Sequence, residues 1–121
     1  MAALLERNGI KLLICDAETR VRTDRDAANL VAEAFSNRAE WVVIPVECLD
    51  DDFFRLKTRI AGELIQKFVT YRRKLAIIGD ISRFVESSDS LRDFVYEANR
   101  GNQFWFLPTM TEFEKRVWRA L

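Results

Sequence analysis

Acidic side chains follow two apolar runs of this sequence. Asp50, Asp51 and Asp52 come soon after WVVIPV, and Asp80 follows LAIIG. In open α/β sheets ligands bind outside the carboxyl ends of the strands, so these carboxylates are expected at one edge. A few carboxylates with water suit Mg²⁺, and any such metal would bind Asp52 and Asp80. The structural alternative places the three aspartates at the start of a helix and Asp80 in an Asx turn.

Two more polar residues follow Asp80 in GDISRF. Ser82 and Arg83 begin an irregular stretch at the same predicted edge, where Arg83 suits an ion pair with Asp80 or an anion. The chain has no histidine, which excludes a Ser-His-Asp triad, a Cys-His pair and a His-ligated zinc site. The segment is therefore a candidate binding site, and no residue is assigned a catalytic role.

A polar stripe lies on the longest predicted helix. Glu63, Lys67 and Tyr71 recur at every fourth position, so they share one side of the helix. Glu63 and Lys67 are expected to form an ion pair. The stripe is interpreted either as a face that binds a partner or as a solvated flank.

The composition is that of one globular domain, residues 1–121. The 19 basic and 19 acidic residues cancel, and nothing in that balance favours nucleic acid or an anionic membrane as a partner. No apolar run is long enough to cross a bilayer, and the first residues do not form a signal peptide. Cys15 and Cys48 make neither a disulfide framework nor a zinc site, so inert thiols in a reducing cytoplasm are the simplest interpretation.

Hydrophobic periodicity and turn signals predict the elements that position these residues. Asn8-Gly9 predicts a hairpin between strands at 3–7 and 10–15. Thr23 is expected to cap a helix at 24–36 that has Phe35 on its apolar face. Gly62, in the longest predicted helix, is expected to mark a close approach between elements. The other predicted elements are strand 41–46, helix 50–73, strand 75–79, loop 80–89, helix 91–100 capped by Ser90, strand 103–107, and a helix capped by Thr109 whose apolar face includes Leu121.

The order β-β-α-β-α-β-α-β-α predicts an α/β fold with a mostly parallel five-stranded sheet and about four helices. It resembles the STAS fold of anti-sigma-factor antagonists and sulfate-transporter tails, over nearly the whole chain. In antagonist proteins a phosphorylatable serine begins the helix after the third strand and faces a kinase. The equivalent stretch here, VECLDDDFF, has aspartates and no Ser or Thr. The resemblance implies a missing phospho-switch, or acids that mimic the phosphorylated state, and it leaves a partner-binding surface.

A closer resemblance spans about residues 50–106. This part is similar to a small bacterial family known only as a domain of unknown function, so the resemblance implies no activity. The shared motifs are D-F-F at 52–54, A-G-E-x-x-Q-K at 61–67, Y-R at 71–72, L-A-I-x-G-D-x-S at 75–82, L-R-D-F at 91–94 and E-x-N-x-G at 97–101.

The leading hypothesis is a non-enzymatic, STAS-like regulatory module that binds an unidentified protein without a cofactor. Its surface is expected at segments 47–54 and 80–90 and the start of the long helix. One alternative is a small Mg²⁺-dependent enzyme or nucleotide-binding protein that uses the acidic edge. Another is a homodimer formed through the sheet edge or the aromatic residues of the last strand. The candidate binding residues are Asp50, Asp51, Asp52, Glu63, Asp80, Ser82 and Arg83.

Overall fold

The structure is a computed structural model, and it describes residues 2–119. It has one sheet of five strands and five α-helices, as the predicted α/β class requires. No helix in residues 2–119 is both long and apolar enough to cross a membrane. Leu121 lies outside the described residues. The strands are β1 (Ala2–Arg7), β2 (Ile10–Cys15), β3 (Trp41–Pro45), β4 (Lys74–Ile78) and β5 (Phe104–Leu107). The helices are α1 (Asp24–Ser36), α2 (Ile60–Thr70), α3 (Ser82–Glu86), α4 (Asp89–Arg100) and α5 (Met110–Arg119).

The strands lie in the sheet in their order along the chain, β1-β2-β3-β4-β5. β1 pairs antiparallel with β2, and all other pairs are parallel. Asn8 and Gly9 have φ angles of 52° and 81°, the two positive values that a type I′ turn needs. The predicted hairpin and mostly parallel sheet are therefore confirmed.

The two faces of the sheet are covered differently. Side chains alternate along each strand, so Phe104 and Phe106 of β5 face one way and Trp105 the other. The first face packs against α1, α2 and α4, because successive right-handed crossovers in one direction place their helices on the same side. The second face packs against Phe113 and Val117 of α5.

An aromatic cluster fills the second face. Trp41 of β3 and Trp105 of β5 are both buried, with ring centroids 4.4 Å apart although β4 runs between their strands. Phe113 meets Trp41 edge-on at 5.2 Å, a favoured geometry for aromatic pairs. The fully buried Ala76 of β4 belongs to the same cluster. Both tryptophans are therefore core residues.

Asn99 of α4 covers the free edge of β5. Its side-chain Oδ1 accepts a hydrogen bond from the Phe106 N–H at 2.7 Å, and its Nδ2 donates to the Phe106 carbonyl at 3.0 Å. The Trp105 indole N–H donates to the Gly101 carbonyl at 2.7 Å, and the Arg116 guanidinium donates to the carbonyls of Asn99 and Gly101. The motif E-x-N-x-G thus joins α4 to β5 and α5.

The predicted helix over 50–73 is wrong over residues 50–59. Residues Asp51–Phe54 and Leu56–Thr58 form two short 3₁₀ turns, and Arg59 has a φ of 65°, so α2 begins only at Ile60. Asp50, Asp51 and Asp52 therefore do not cap α2.

Three smaller predictions also need correction. The expected loop 80–89 contains the short helix α3, and Ser88 rather than Ser90 caps α4 by accepting a hydrogen bond from the Leu91 N–H at 3.2 Å. Phe35 is 59% exposed, because it lies about 80° around α1 from the buried Ala27. The predicted helix caps at Thr23 and Thr109 are confirmed, since each hydroxyl accepts a backbone N–H at 3.1 Å.

Gly62 does not mark a close approach, because nothing lies within 4 Å of where its Cβ would be. The residue is exposed in the first turn of α2. We expect Gly62→Ala to raise the free energy of unfolding by about 0.5–1 kcal/mol, since glycine disfavours helix. Urea denaturation measures the change. A loss of stability would show that this position needs glycine for a reason other than the space around it.

Candidate functional site

The three consecutive aspartates each contact a different arginine. Asp50 pairs with Arg22 at 3.1 Å, Asp51 with Arg83 at 3.0 Å and Asp52 with Arg55 at 2.6 Å. The side chains in these pairs are 51–70% exposed, so the pairs contribute little to stability. The carboxylates therefore point to separate partners around the end of β3 and do not converge.

Asp80 forms the Asx turn of the structural interpretation. Its carboxylate accepts the Ser82 backbone N–H at 2.9 Å and starts α3 just after Gly79. Hydrogen bonds from the Ser82 side chain and backbone hold the pKa of Asp80 below its ordinary value. The expected Asp80–Arg83 pair is absent from the ion pairs of residues 2–119, and Arg83 reaches Asp51 instead.

The acidic residues make no metal centre within residues 2–119. No group of three or more His, Cys, Asp or Glu side chains lies close enough together to hold an ion. Asp52 and Asp80, the expected metal ligands, are engaged by Arg55 and Ser82 respectively.

Aromatic stacking brings two of the predicted segments together. The Phe84 ring of α3 stacks on the Phe54 ring with centroids 4.2 Å apart and planes 10° from parallel. The Arg83 guanidinium lies 4.1 Å from the Phe84 ring on the same short helix, within the range of a cation–π contact. Segments 51–54 and 82–86 thus form one surface, which we call the α3 ridge.

A cleft lies on each side of the α3 ridge. One cleft, of about 680 Å³, is polar, and its charged residues are Asp51, Arg55, Lys57 and Arg83. The other, of about 500 Å³, lies at the carboxyl ends of β4 and β5 and extends from Asp80 along α4. Its apolar side chains are Ile81, Val85, Val95, Phe106, Leu107 and Pro108.

The apolar cleft is the part of the site that sequence reasoning missed. Val85 lies in the segment predicted as a loop. Val95 lies on a predicted helix, but the spacing of residues does not indicate which elements pack against that helix. The available sequence signal for this cleft was only the general rule that open parallel sheets bind ligands at the carboxyl ends of their strands.

Glu63 lines neither of these clefts. It lies on α2 beside a crevice of about 50 Å³ against the start of α1. The predicted Glu63–Lys67 pair is wrong, because Lys67 contacts Asp24 of α1 at 3.4 Å. The structure therefore does not bring Glu63 together with the other candidate residues.

The two cysteines are buried behind this edge. Burial raises the pKa of Cys15 to about 12 and also raises the pKa of Cys48, whose thiol donates to the Asp16 carbonyl at 3.0 Å. Since the thiolate is the nucleophile, we expect neither thiol to react with iodoacetamide in the native protein at mildly alkaline pH. Both should react in denaturant, as mass spectrometry of the intact chain would show. Rapid native alkylation of either would mean that this edge opens.

The fold and the site define an α/β protein with an open five-stranded sheet and a helical ridge between two clefts. A family model described as a domain of unknown function (DUF4180) matches residues 7–117, and the chain belongs to this family. Neither the search of curated proteins nor that of solved structures found a match. The predicted membership of an uncharacterised family is confirmed, whereas the resemblance to STAS proteins stays a prediction.

Proposed function

We propose that this protein is a non-enzymatic, STAS-like regulatory module that binds a protein partner at the α3 ridge. The observation that carries the proposal is the open apolar cleft beside an exposed charged ridge on one edge of the sheet. The order of elements, a hairpin followed by alternating helices and strands, supports the STAS-like part of the proposal.

The two kinds of surface have different roles in this proposal. The apolar cleft suits one or two aliphatic or aromatic side chains of the partner, which commonly supply most of the binding energy of an interface. The exposed charges of Asp51 and Arg83 lie at the rim, where complementary charges contribute specificity and association rate. Asp50, Asp52, Asp80 and Ser82 border the same edge and are proposed to contribute in the same way.

The alternative, an Mg²⁺-dependent enzyme or a nucleotide-binding protein, has less support. It requires Asp80 and the aspartates at 50–52 to act on one ligand. Those aspartates contact three different arginines, and Asp80 is held by Ser82. A rise in Tm with Mg²⁺ or a nucleotide would favour this alternative, because a ligand that binds only the native state stabilises it.

Affinity capture from the native host's lysate, with Arg83→Asp, Asp51→Arg and the double charge swap, tests the proposal. We expect the wild type to capture one protein stoichiometrically and Arg83→Asp to lose it. The double swap should also fail, because it restores the ion pair but inverts the charges that face the partner. All three variants should fold, since exposed pairs contribute at most about 1 kcal/mol.

Lys115→Glu is the matched control, an exposed charge reversal on α5 across the sheet. It should capture the partner as well as the wild type does. If Arg83→Asp captures the partner as well as the wild type does, or if the double swap recovers capture of the partner, a role for the α3 ridge is refuted.

Light scattering of the purified chain tests the alternative that the protein is a homodimer. A monomeric mass at every concentration would exclude that alternative.

A further inference from the structure

Helix α1 carries a second apolar stripe that faces solvent. Ala28, Ala32 and Phe35 follow the helical spacing i, i+4, i+7, are all exposed and lie beside the core stripe of α1, which consists of Ala27, Leu30, Val31 and Ala34. A surface helix normally has one apolar stripe and a polar remainder. The second stripe of α1 therefore has no partner within residues 2–119.

This stripe forms one wall of a groove between α1 and α2. Lys67 and Tyr71 form the opposite wall, and the groove has a volume of about 320 Å³. Phe35 of the first wall is 59% and Tyr71 of the second wall 54% exposed, and the buried Val31 also lines the groove. Small residues between larger ones allow another helix to pack closely. We call this feature the α1–α2 groove.

Three arginines lie just beyond the carboxyl ends of α1 and α2, the two helices that form the α1–α2 groove. Arg38 and Arg72 follow α1 and α2 at equivalent positions, and neither has an ion pair within 4 Å in residues 2–119. Arg73 joins the two helix ends, because its guanidinium donates to the Ala39 carbonyl at 3.1 Å and lies 5.2 Å from the Phe35 ring. The carboxyl ends of the two helices thus carry three arginines, and one of them contacts Phe35 of the groove.

The backbone at Arg38 and Arg72 adds a second argument. Their φ angles are 57° and 56°, the left-handed conformation that glycine adopts most readily after a helix. Both helices therefore end with an arginine where glycine would be more favourable for the backbone. Residues that depart from local preference in this way are often functional.

We propose that the α1–α2 groove docks an acidic amphipathic helix of a partner protein. Apolar side chains of that helix lie between Phe35 and Tyr71, and its carboxylates meet Arg38 and Arg72. The groove opens at the end of α1 and α2 where the parallel strands begin, away from the α3 ridge. This second surface does not depend on the proposed function of the ridge.

A synthetic peptide tests the proposal directly. The probe is a fluorescein-labelled amphipathic peptide with Leu at i, i+3, i+4 and i+7 and Glu at most other positions, measured by fluorescence anisotropy. We expect saturable binding, at least about tenfold weaker binding of the same peptide with Lys in place of Glu, and a similar loss with Ala in place of Leu. Equal affinity for the Glu and Lys peptides would refute the proposal.

Variants of the groove separate binding from folding. Arg38→Gly with Arg72→Gly should raise Tm, because the backbone strain is relieved, and should weaken binding of the Glu peptide at least about tenfold. Phe35→Ala should weaken it similarly. Arg83→Asp should leave the affinity unchanged, which distinguishes this surface from the α3 ridge.

Three further results would also overturn the proposal. The first is unchanged peptide affinity in the glycine variant. The second is self-association of the wild type that Phe35→Ala abolishes, which would make the groove an interface between two copies. The third is binding to vesicles containing phosphatidylserine with no binding of the peptide, which would indicate a membrane surface.

Discussion

Gly79→Ala is expected to lower the free energy of unfolding by about 3 kcal/mol. Gly79 directly follows β4 and has a φ of 143°, a conformation that side chains disfavour. A Cβ there would lie 2.7 Å from Val46 Cγ2 and 2.9 Å from Val46 Cβ, well inside van der Waals contact. The clash is with the turn after β3, so the ends of β3 and β4 would have to separate. Urea denaturation with a constant m-value would measure the loss.

Two further variants separate the effect of the steric clash from the effect of placing a side chain at a positive φ angle. Gly9→Ala is the matched control, because Gly9 has a φ of 81° but nothing within 4 Å of its Cβ position. Gly9→Ala should lower the free energy of unfolding only by the cost of a side chain at positive φ, about 1 kcal/mol. Val46→Ala in the Gly79→Ala background should recover part of the loss. An equal effect of the two glycine substitutions would show that contact with Val46 is unimportant.

Asn99→Ala is expected to lower the free energy of unfolding by about 2–3 kcal/mol. It removes the hydrogen bonds at 2.7 and 3.0 Å between the Asn99 side chain and the backbone of Phe106. The partly buried N–H and carbonyl of Phe106 would lose their partner at the edge of the sheet. Because an unpaired edge strand can pair with another chain, we also expect some self-association, visible by light scattering.

Asn99→Asp gives a finer test of the same contact. A carboxylate can still accept a hydrogen bond from the Phe106 N–H, but its second oxygen lies against the Phe106 carbonyl oxygen. Near neutral pH, Asn99→Asp should therefore lower the free energy of unfolding at least as much as Asn99→Ala does. Asn29→Ala is the control, since Asn29 is exposed in the middle of α1 and alanine favours helix. Stability equal to the wild type in both Asn99 variants would contradict the role given to this side chain.

Local signals explain how much of the fold was predictable. The hairpin at Asn8-Gly9 and the caps at Thr23 and Thr109 depend on residues close in the chain. The strands were predictable because burial on both faces requires continuous apolar runs. The start of α2 was not predictable, because the helical spacing of apolar residues continues through Leu56 and Ile60, although the backbone leaves the helical conformation at Arg59.

The candidate site was predictable only in its local part. The Asx turn of Asp80 involves a residue two positions away, and it was among the predicted interpretations. The partners of Arg83 and Asp50 lie 32 and 28 residues away, and several arginines could have served. The apolar cleft depends on how α3 and α4 pack beside β5, which no spacing along the chain reveals. The binding roles of the candidate residues stay predictions.

The sequential order of the strands has a consequence for folding. Each strand pairs with its neighbour along the chain, so the sheet can grow one βα unit at a time. During synthesis the first face can be covered progressively by α1, α2 and α4. The face bearing Trp41 stays open until α5 emerges, because α5 alone among the described helices covers it. We therefore expect the final quenching or shift of tryptophan fluorescence to lag behind formation of the sheet, and simultaneous signals would rule out this order.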